Sequence, residues 1–254
     1  MKRKIIILLA LIAIFFCDTT LFAQTAESAN SASEVGIKVS LEGESFGKAI
    51  NIFILMTILS LVPSIIMMMT SFTRILIVLS FLKKAMGTMQ TPSAKIVAAL
   101  SLFLTIFIMQ PVWTKIYEES IEPYSKEEIS SEEAINKAVD PIKEFMLRQT
   151  RDSSLLLFIE LSETNLEDIK TEQDLPMTVI VPAFMISELK TAFQMGFLIY
   201  LPFLLIDIVV ATTLMSMGMM MLPPMMISMP FKLLLFILVD GWGLVIKSLV
   251  NSFA

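Results

Sequence analysis

The sequence runs to 254 residues, 56% of them hydrophobic and only 17% charged, with a formal net charge of −5. Soluble domains carry roughly 45–50% apolar and about 25% charged residues. A mean hydropathy of +0.78, concentrated in long runs with almost no charge, points instead to a membrane protein. With no His and a single Cys, imidazole proton shuttling and a soft metal site are excluded, and the acidic balance offers nothing to nucleic acid.

Met1-Lys2-Arg3-Lys4 form a basic start, and Ile5 to Phe16 an unbroken apolar run of twelve residues. That run is too short to cross about 30 Å of hydrocarbon. With Leu21-Phe22-Ala23-Gln24 behind it, the pattern predicts a signal peptide over 1–23, cleaved after Ala23. An uncleaved anchor is the alternative; a lipidated Cys17 fits less well, because Phe15 and Phe16 are not small. Cleavage leaves the mature chain without a thiol. Residues 24–47, rich in Ser, Ala and Glu, read as a mobile, exported tail.

An apolar run then extends from Ala49 to Leu82, interrupted only by Pro63 and Arg74. As one helix it reaches roughly 50 Å, longer than a bilayer is thick, and Pro63 is expected to kink it. A second run, Ile96 to Thr114, completes a hairpin over 48–114. Lys83, Lys84 and Lys95 form a basic loop between the runs, which reads as cytoplasmic. Lys115 to Asp174 holds seven Lys or Arg against sixteen Asp or Glu, and an acidic helical segment over 115–178 is placed outside the membrane, on the periplasmic side. Within it, Ser130 and Glu133 have capping-box spacing, and apolar residues from Ile135 to Met146 recur with helical period. Pro141 predicts a kink or a second helix start there, and Leu155 to Ile159 a further short helix. A third run, Thr191 to Leu222, stops at Pro223-Pro224; a fourth, Phe231 to Ala254, completes a second hairpin over 179–254. The fold class is all-α, with helical hairpins of polytopic membrane type around an acidic extramembrane segment and both termini exported.

Arg74, Asp207, Lys232 and Asp240 interrupt or border these apolar helices. A charge at the centre of a lipid-facing helix costs at least about 2.5–3.5 kcal/mol, so such groups face protein or water. Salt bridges between helices account for them more readily than a proton relay, which draws on His or clustered acids. Combined with the over-long runs, they suggest apolar surface buried against other protein subunits. Eight of the twenty Met lie between residues 215 and 229. Methionine is unbranched, polarisable and adaptable, so Met219, Met220 and Met221, set between Gly218 and Pro223-Pro224, are either packing filler or a deformable seal on a symmetry axis.

Two stretches carry a resemblance to a known family. Pro182-Ala183-Phe184-Met185-Ile186-Ser187-Glu188-Leu189-Lys190-Thr191-Ala192-Phe193-Gln194-Met195-Gly196-Phe197 resembles one signature of the FliP family of flagellar biosynthetic proteins. Pro230-Phe231-Lys232, continuing to Asp240-Gly241-Trp242, resembles the second. Residues 70–74 and 145–151 are also similar, and the resemblance covers roughly 48–254. It implies a component of the type III protein export gate in the inner-membrane part of the flagellar basal body. About five copies would assemble with FliQ and FliR into a cone-shaped helical channel, standing largely above the lipid plane. FlhB and FlhA would complete the machine, and unfolded flagellar proteins would pass through. The resemblance also makes Met219, Met220 and Met221 a gasket around the closed pore, and gives Glu188 intersubunit polar contacts.

The injectisome counterpart, the SctR type, is the near alternative, disfavoured by the signal peptide. A stand-alone ion or solute transporter calls for repeats and paired broken helices, neither evident in the sequence. An intramembrane enzyme needs a nucleophile–base pair or paired catalytic carboxylates, and only scattered acids are present. No cofactor is expected, and without a P-loop motif the energy for export comes from elsewhere.

Overall fold

The computed structural model describes residues 43–88, 91–162, 171–219 and 222–253. The predicted signal peptide and most of the exported tail lie outside the described residues. By contact, the chain divides into two units, Met1–Thr57 and Ile58–Ala254. Among the described residues every regular element is helical, so the chain is all-α.

Helix α1, Gly43–Met68, carries Pro63 inside it without a break. The expected kink at Pro63 is instead a break about two turns later, where the axis bends by 69° before α2, Phe72–Ala85. Thr70 explains the position. Its hydroxyl donates to the Met67 carbonyl at 3.0 Å and accepts from the Phe72 N–H at 3.4 Å, giving the backbone an alternative to the helical ladder. Pro63 has no N–H to give to the ladder, yet the helix continues through it.

Ser93 opens α3, Ala94–Ile108, by accepting the Ile96 N–H. Helix α4, Gln110–Ile116, follows with Pro111 in its first turn, the bend here being 55°. It runs through a π-helical turn, Tyr117–Ile121, into the short α5, Glu122–Ser125. Ser130 then caps α6, Ser131–Gln149, by accepting the Glu133 N–H at 3.2 Å. The Glu133 carboxylate pairs with Lys137 on the same face. Pro141 neither breaks nor restarts α6; its ring is buried, which offsets the lost backbone bond. Lys115 reaches across from α4 to Glu144 at 2.9 Å and holds its carboxyl below the usual carboxylate range. A depressed carboxylate stabilises above its unfolded value, and the gain fades as pH falls through the folded one. Both groups are half exposed, so Lys115→Ala is expected to change stability by less than about 1 kcal/mol.

Helix α7, Asp152–Leu161, covers the predicted short helix. The long α8, Met177–Ser216, has 40 residues and begins well before the run read from Thr191. It is the one described helix long and apolar enough to cross a membrane unbroken; counting each bent pair as one span gives up to four. The fourth run divides into α9, Pro224–Leu238, and α10, Gly241–Asn251, bent by 65°.

The core of the larger unit lies where α2 packs along α8. Ile75, Val78 and Leu82 of α2 and Val179, Ile180 and Phe184 of α8 belong to one buried apolar cluster, with Phe145 and Met146 added from α6. Gly196 allows the close approach, because a Cβ there would stand 2.7 Å from the Phe81 ring. Overpacking at such a contact costs roughly 1–3 kcal/mol. Gly196→Val is therefore expected to lower the unfolding temperature of the detergent-solubilised protein, with partial recovery when Phe81→Ala is added. An unchanged unfolding temperature in the single variant would remove this contact from the account.

Candidate functional site

Three of the segments singled out in the sequence converge on one side chain. The break at Thr70-Ser71 starts α2 so that Arg74 faces inward, with 2% of its surface exposed. Its guanidinium makes a forked contact with Glu188 of α8: Nε donates to Oε2 at 2.9 Å, and an Nη pairs with Oε1. Arg74 also donates to Gln149 of α6 at 3.1 Å. The other Nη donates to the carbonyl and hydroxyl of Ser252, at 2.9 and 3.0 Å. The Phe253 ring lies 3.8 Å from the guanidinium carbon, a cation–π contact. Four stretches of chain thus meet on one cation whose every nitrogen is engaged. A buried charge of this kind is tolerable only when it is paired and hydrogen-bonded.

The neighbouring turn is fixed in the same way. The Arg151 N–H donates to the Ser187 hydroxyl, which donates in turn to the Gln149 carbonyl. The Arg151 guanidinium reaches Thr191 and Gln194 of α8. This docks the α6–α7 corner onto the stretch of α8 that contains Glu188.

A second cluster lies below the methionine-rich turn. Lys232 of α9, 2% exposed, donates to Asp207 of α8 at 2.6 Å and to the Ala85 carbonyl, at the end of α2, at 3.2 Å. Ser228 donates to the other oxygen of Asp207 at 2.6 Å. A lysine at a helix C-terminus also complements the helix dipole. The cluster therefore ties together the two helices that flank the methionine turn and fastens them to α2.

That turn has a defined start. Gly218, at φ +77°, follows α8. Its N–H bonds the Met215 carbonyl and the Met219 N–H bonds that of Leu214, both at 3.0 Å. This is a Schellman ending, for which glycine is the favoured residue. Pro223 and Pro224 open α9, as suits a helix first turn. Met215, Met217, Met219, Met225 and Met226 are all exposed. Met220 and Met221 lie outside the described residues. Asp240, at φ +49°, occupies the break between α9 and α10 and is exposed; among the described residues it makes no ion pair.

The sequence located both acids and both cations of these clusters without pairing them. Ser228, Ser252 and Phe253 were missed altogether. A polar residue one turn from a charge on the same helix face is the only signal that could have found Ser228, and nothing local marks Ser252. Among the described residues no group of His, Cys, Asp or Glu is arranged to hold a metal.

The FliP family matches residues 55–249. The chain is 50% identical over 211 residues to the flagellar biosynthetic protein FliP of Pectobacterium carotovorum subsp. carotovorum, covering 83% of this chain and 81% of that one. It is 49% identical over 219 residues to that of Bacillus subtilis (strain 168), covering 86% and 98%. It is 50% identical over 205 residues to that of Aquifex aeolicus (strain VF5), covering 81% and 86%. With Arg74, Glu188, Asp207, the methionine turn and Lys232 all inside the matched region, the chain belongs to the FliP family.

Proposed function

We propose that this chain is a subunit of the flagellar protein export gate. Several copies, about five, assemble with FliQ and FliR around a conduit in the bacterial inner membrane, next to FlhB and FlhA. The acidic segment faces the periplasm, and unfolded flagellar proteins pass through. The exposed turn carrying Met219, with Met220 and Met221 beside it, closes the conduit between substrates. The related proteins named above are all flagellar, which favours this over the injectisome counterpart.

One observation carries the reading. The apolar runs are broken inside, at residues 69–71, at Met109 and at Val239-Asp240, with bends of 69°, 55° and 65°. The pieces are short: α2 has 14 residues, α3 has 15, α9 has 15 and α10 has 11. A lipid span needs about 20. Interrupted backbone at membrane depth is tolerated only where protein or a water-filled cavity covers it. Yet large apolar side chains such as Phe103, Phe107, Ile237 and Leu238 are exposed on this chain alone. Sister and partner subunits supply that cover, and they provide a partner for Asp240.

Co-expression with FliQ and FliR, followed by a mass measurement of the purified complex, tests this. The expected result is a complex holding several copies of this chain. Recovery of the chain from that co-expression only as single copies, bound to neither FliQ nor FliR, overturns it. In the same experiment Lys232→Glu is expected to abolish complex formation, because it places two carboxylates together in a buried site, at a cost of about 3–5 kcal/mol. Normal complex yield with failed export would show that the cluster serves transport and not assembly.

A further inference from the structure

An apolar pocket of about 270 Å³ opens between α2, α3 and α10. Its lining includes Leu79, Pro92, Ile96, Leu100, Trp242 and Ile246. It is smaller than the roughly 300–1,000 Å³ that encloses a whole small molecule, and its walls offer almost nothing polar to orient one. Its shape suits part of a long apolar chain whose polar end remains outside.

The charge around one end of the pocket indicates what that polar end is. Lys83 stands one helical turn beyond Leu79, on the same face of α2. Lys95 directly precedes Ile96 in the first turn of α3, and Lys84 completes the basic group. Lys84 and Lys95 are exposed, and among the described residues none of the three lysines has an ion-pair partner. No Asp or Glu occurs between Glu44 and Glu118. The acid nearest in sequence to the pocket is Asp240, two residues before Trp242. The first turn of α3 also holds no acid, so its dipole adds to the positive field. Trp242, 39% exposed, is the residue type that gathers at the headgroup level of membranes. Basic pockets between membrane helices on the cytoplasmic side bind anionic headgroups.

We infer that this pocket binds one acyl chain of an anionic phospholipid from the cytoplasmic leaflet, with the phosphate held by Lys83 and Lys95. The lipid fills the groove between the α2–α3 hairpin and α10 and fixes the height of the basic loop relative to the bilayer surface. The inference rests on the membrane orientation proposed above, but not on export activity.

Trp242 supplies the readout. Trp113 is the only other tryptophan, so Trp113→Phe leaves emission from the pocket alone. The full-length chain is purified in detergent and titrated with phosphatidylglycerol or phosphatidylcholine brominated at mid-chain, since bromine quenches indole only at short range. The expected result is strong quenching by the brominated phosphatidylglycerol and weak quenching by the brominated phosphatidylcholine. Lys83→Gln and Lys95→Gln remove the charge and keep most of the side-chain volume, and each is expected to lower the preference about fivefold. Leu100→Trp, made with Trp242→Phe in the same background, moves the reporter across the pocket and keeps the preference. Equal quenching by both lipids overturns the inference. So does quenching by neither, which is the result if a side chain from a second copy occupies the pocket. The same titration on the complex with FliQ and FliR separates a wrong pocket from a wrong assembly: lipid binding there without export would leave the pocket standing and the gate reading refuted.

Discussion

Glu188→Ala is expected to destabilise the chain by about 3–5 kcal/mol, the cost of leaving a buried guanidinium without its carboxylate. A domain of ordinary stability has about 5–15 kcal/mol in total, so most of the protein would be lost to degradation before purification. Fluorescence-detected size exclusion of a tagged chain, followed by thermal unfolding of what survives, gives the measurement. Arg74→Lys is expected to fare little better. A lysine is a point charge and cannot reproduce the fork on Glu188 together with the bonds to Gln149 and Ser252. The pair Arg74→Met with Glu188→Leu is the decisive comparison. If burial of unpaired charge is the dominant penalty, the double variant is more stable than either single one. If it is the least stable of the three, the cluster acts through geometry that apolar packing cannot replace.

Met219→Ala, Met220→Ala and Met221→Ala together are expected to make membranes containing the assembled gate leak small ions. The measure is conductance, or collapse of an imposed ion gradient, in cells with the complete complex. Each change removes an unbranched, adaptable side chain from the stretch between Gly218 and Pro223, in which Met219 is exposed. Leucine at the same three positions tests what kind of seal it is. Met to Leu keeps volume and costs under about 1.5 kcal/mol, so the resting seal is expected to hold. The branched side chain adapts less well to irregular contacts, so export past it is expected to slow. An unchanged conductance in the alanine variant sinks the seal.

The cap at Ser130 and the helix it opens were legible because their signals are local. Ser130 is a cap because a hydroxyl three residues before an N–H can reach it, and the structure has that bond. The two prolines misled for one reason. Rules for Pro63 and Pro141 describe an isolated helix, whereas here both helices run on through the proline, and at Pro141 the ring is buried. The true break at Thr70 depends on a side chain choosing its own backbone over the ladder, which no periodicity records. The start of α8 is hidden in the sequence because Glu188 and Lys190 look like solvent signals, and Glu188 becomes a core residue only through Arg74. Pairings are the least legible feature of all. Arg74 and Glu188 are 114 positions apart, and only packing tells which acid meets which base.

The Ser252 and Phe253 contacts on Arg74 have a temporal side. The partner atoms on Ser252 are 178 residues downstream of that cation, which at ordinary ribosome speeds means roughly ten to forty seconds of synthesis. Throughout that interval the newborn polypeptide holds an incompletely sheltered guanidinium among greasy segments. Arg74 gains its full set of partners only once Ser252 and Phe253, just beyond α10, settle onto it.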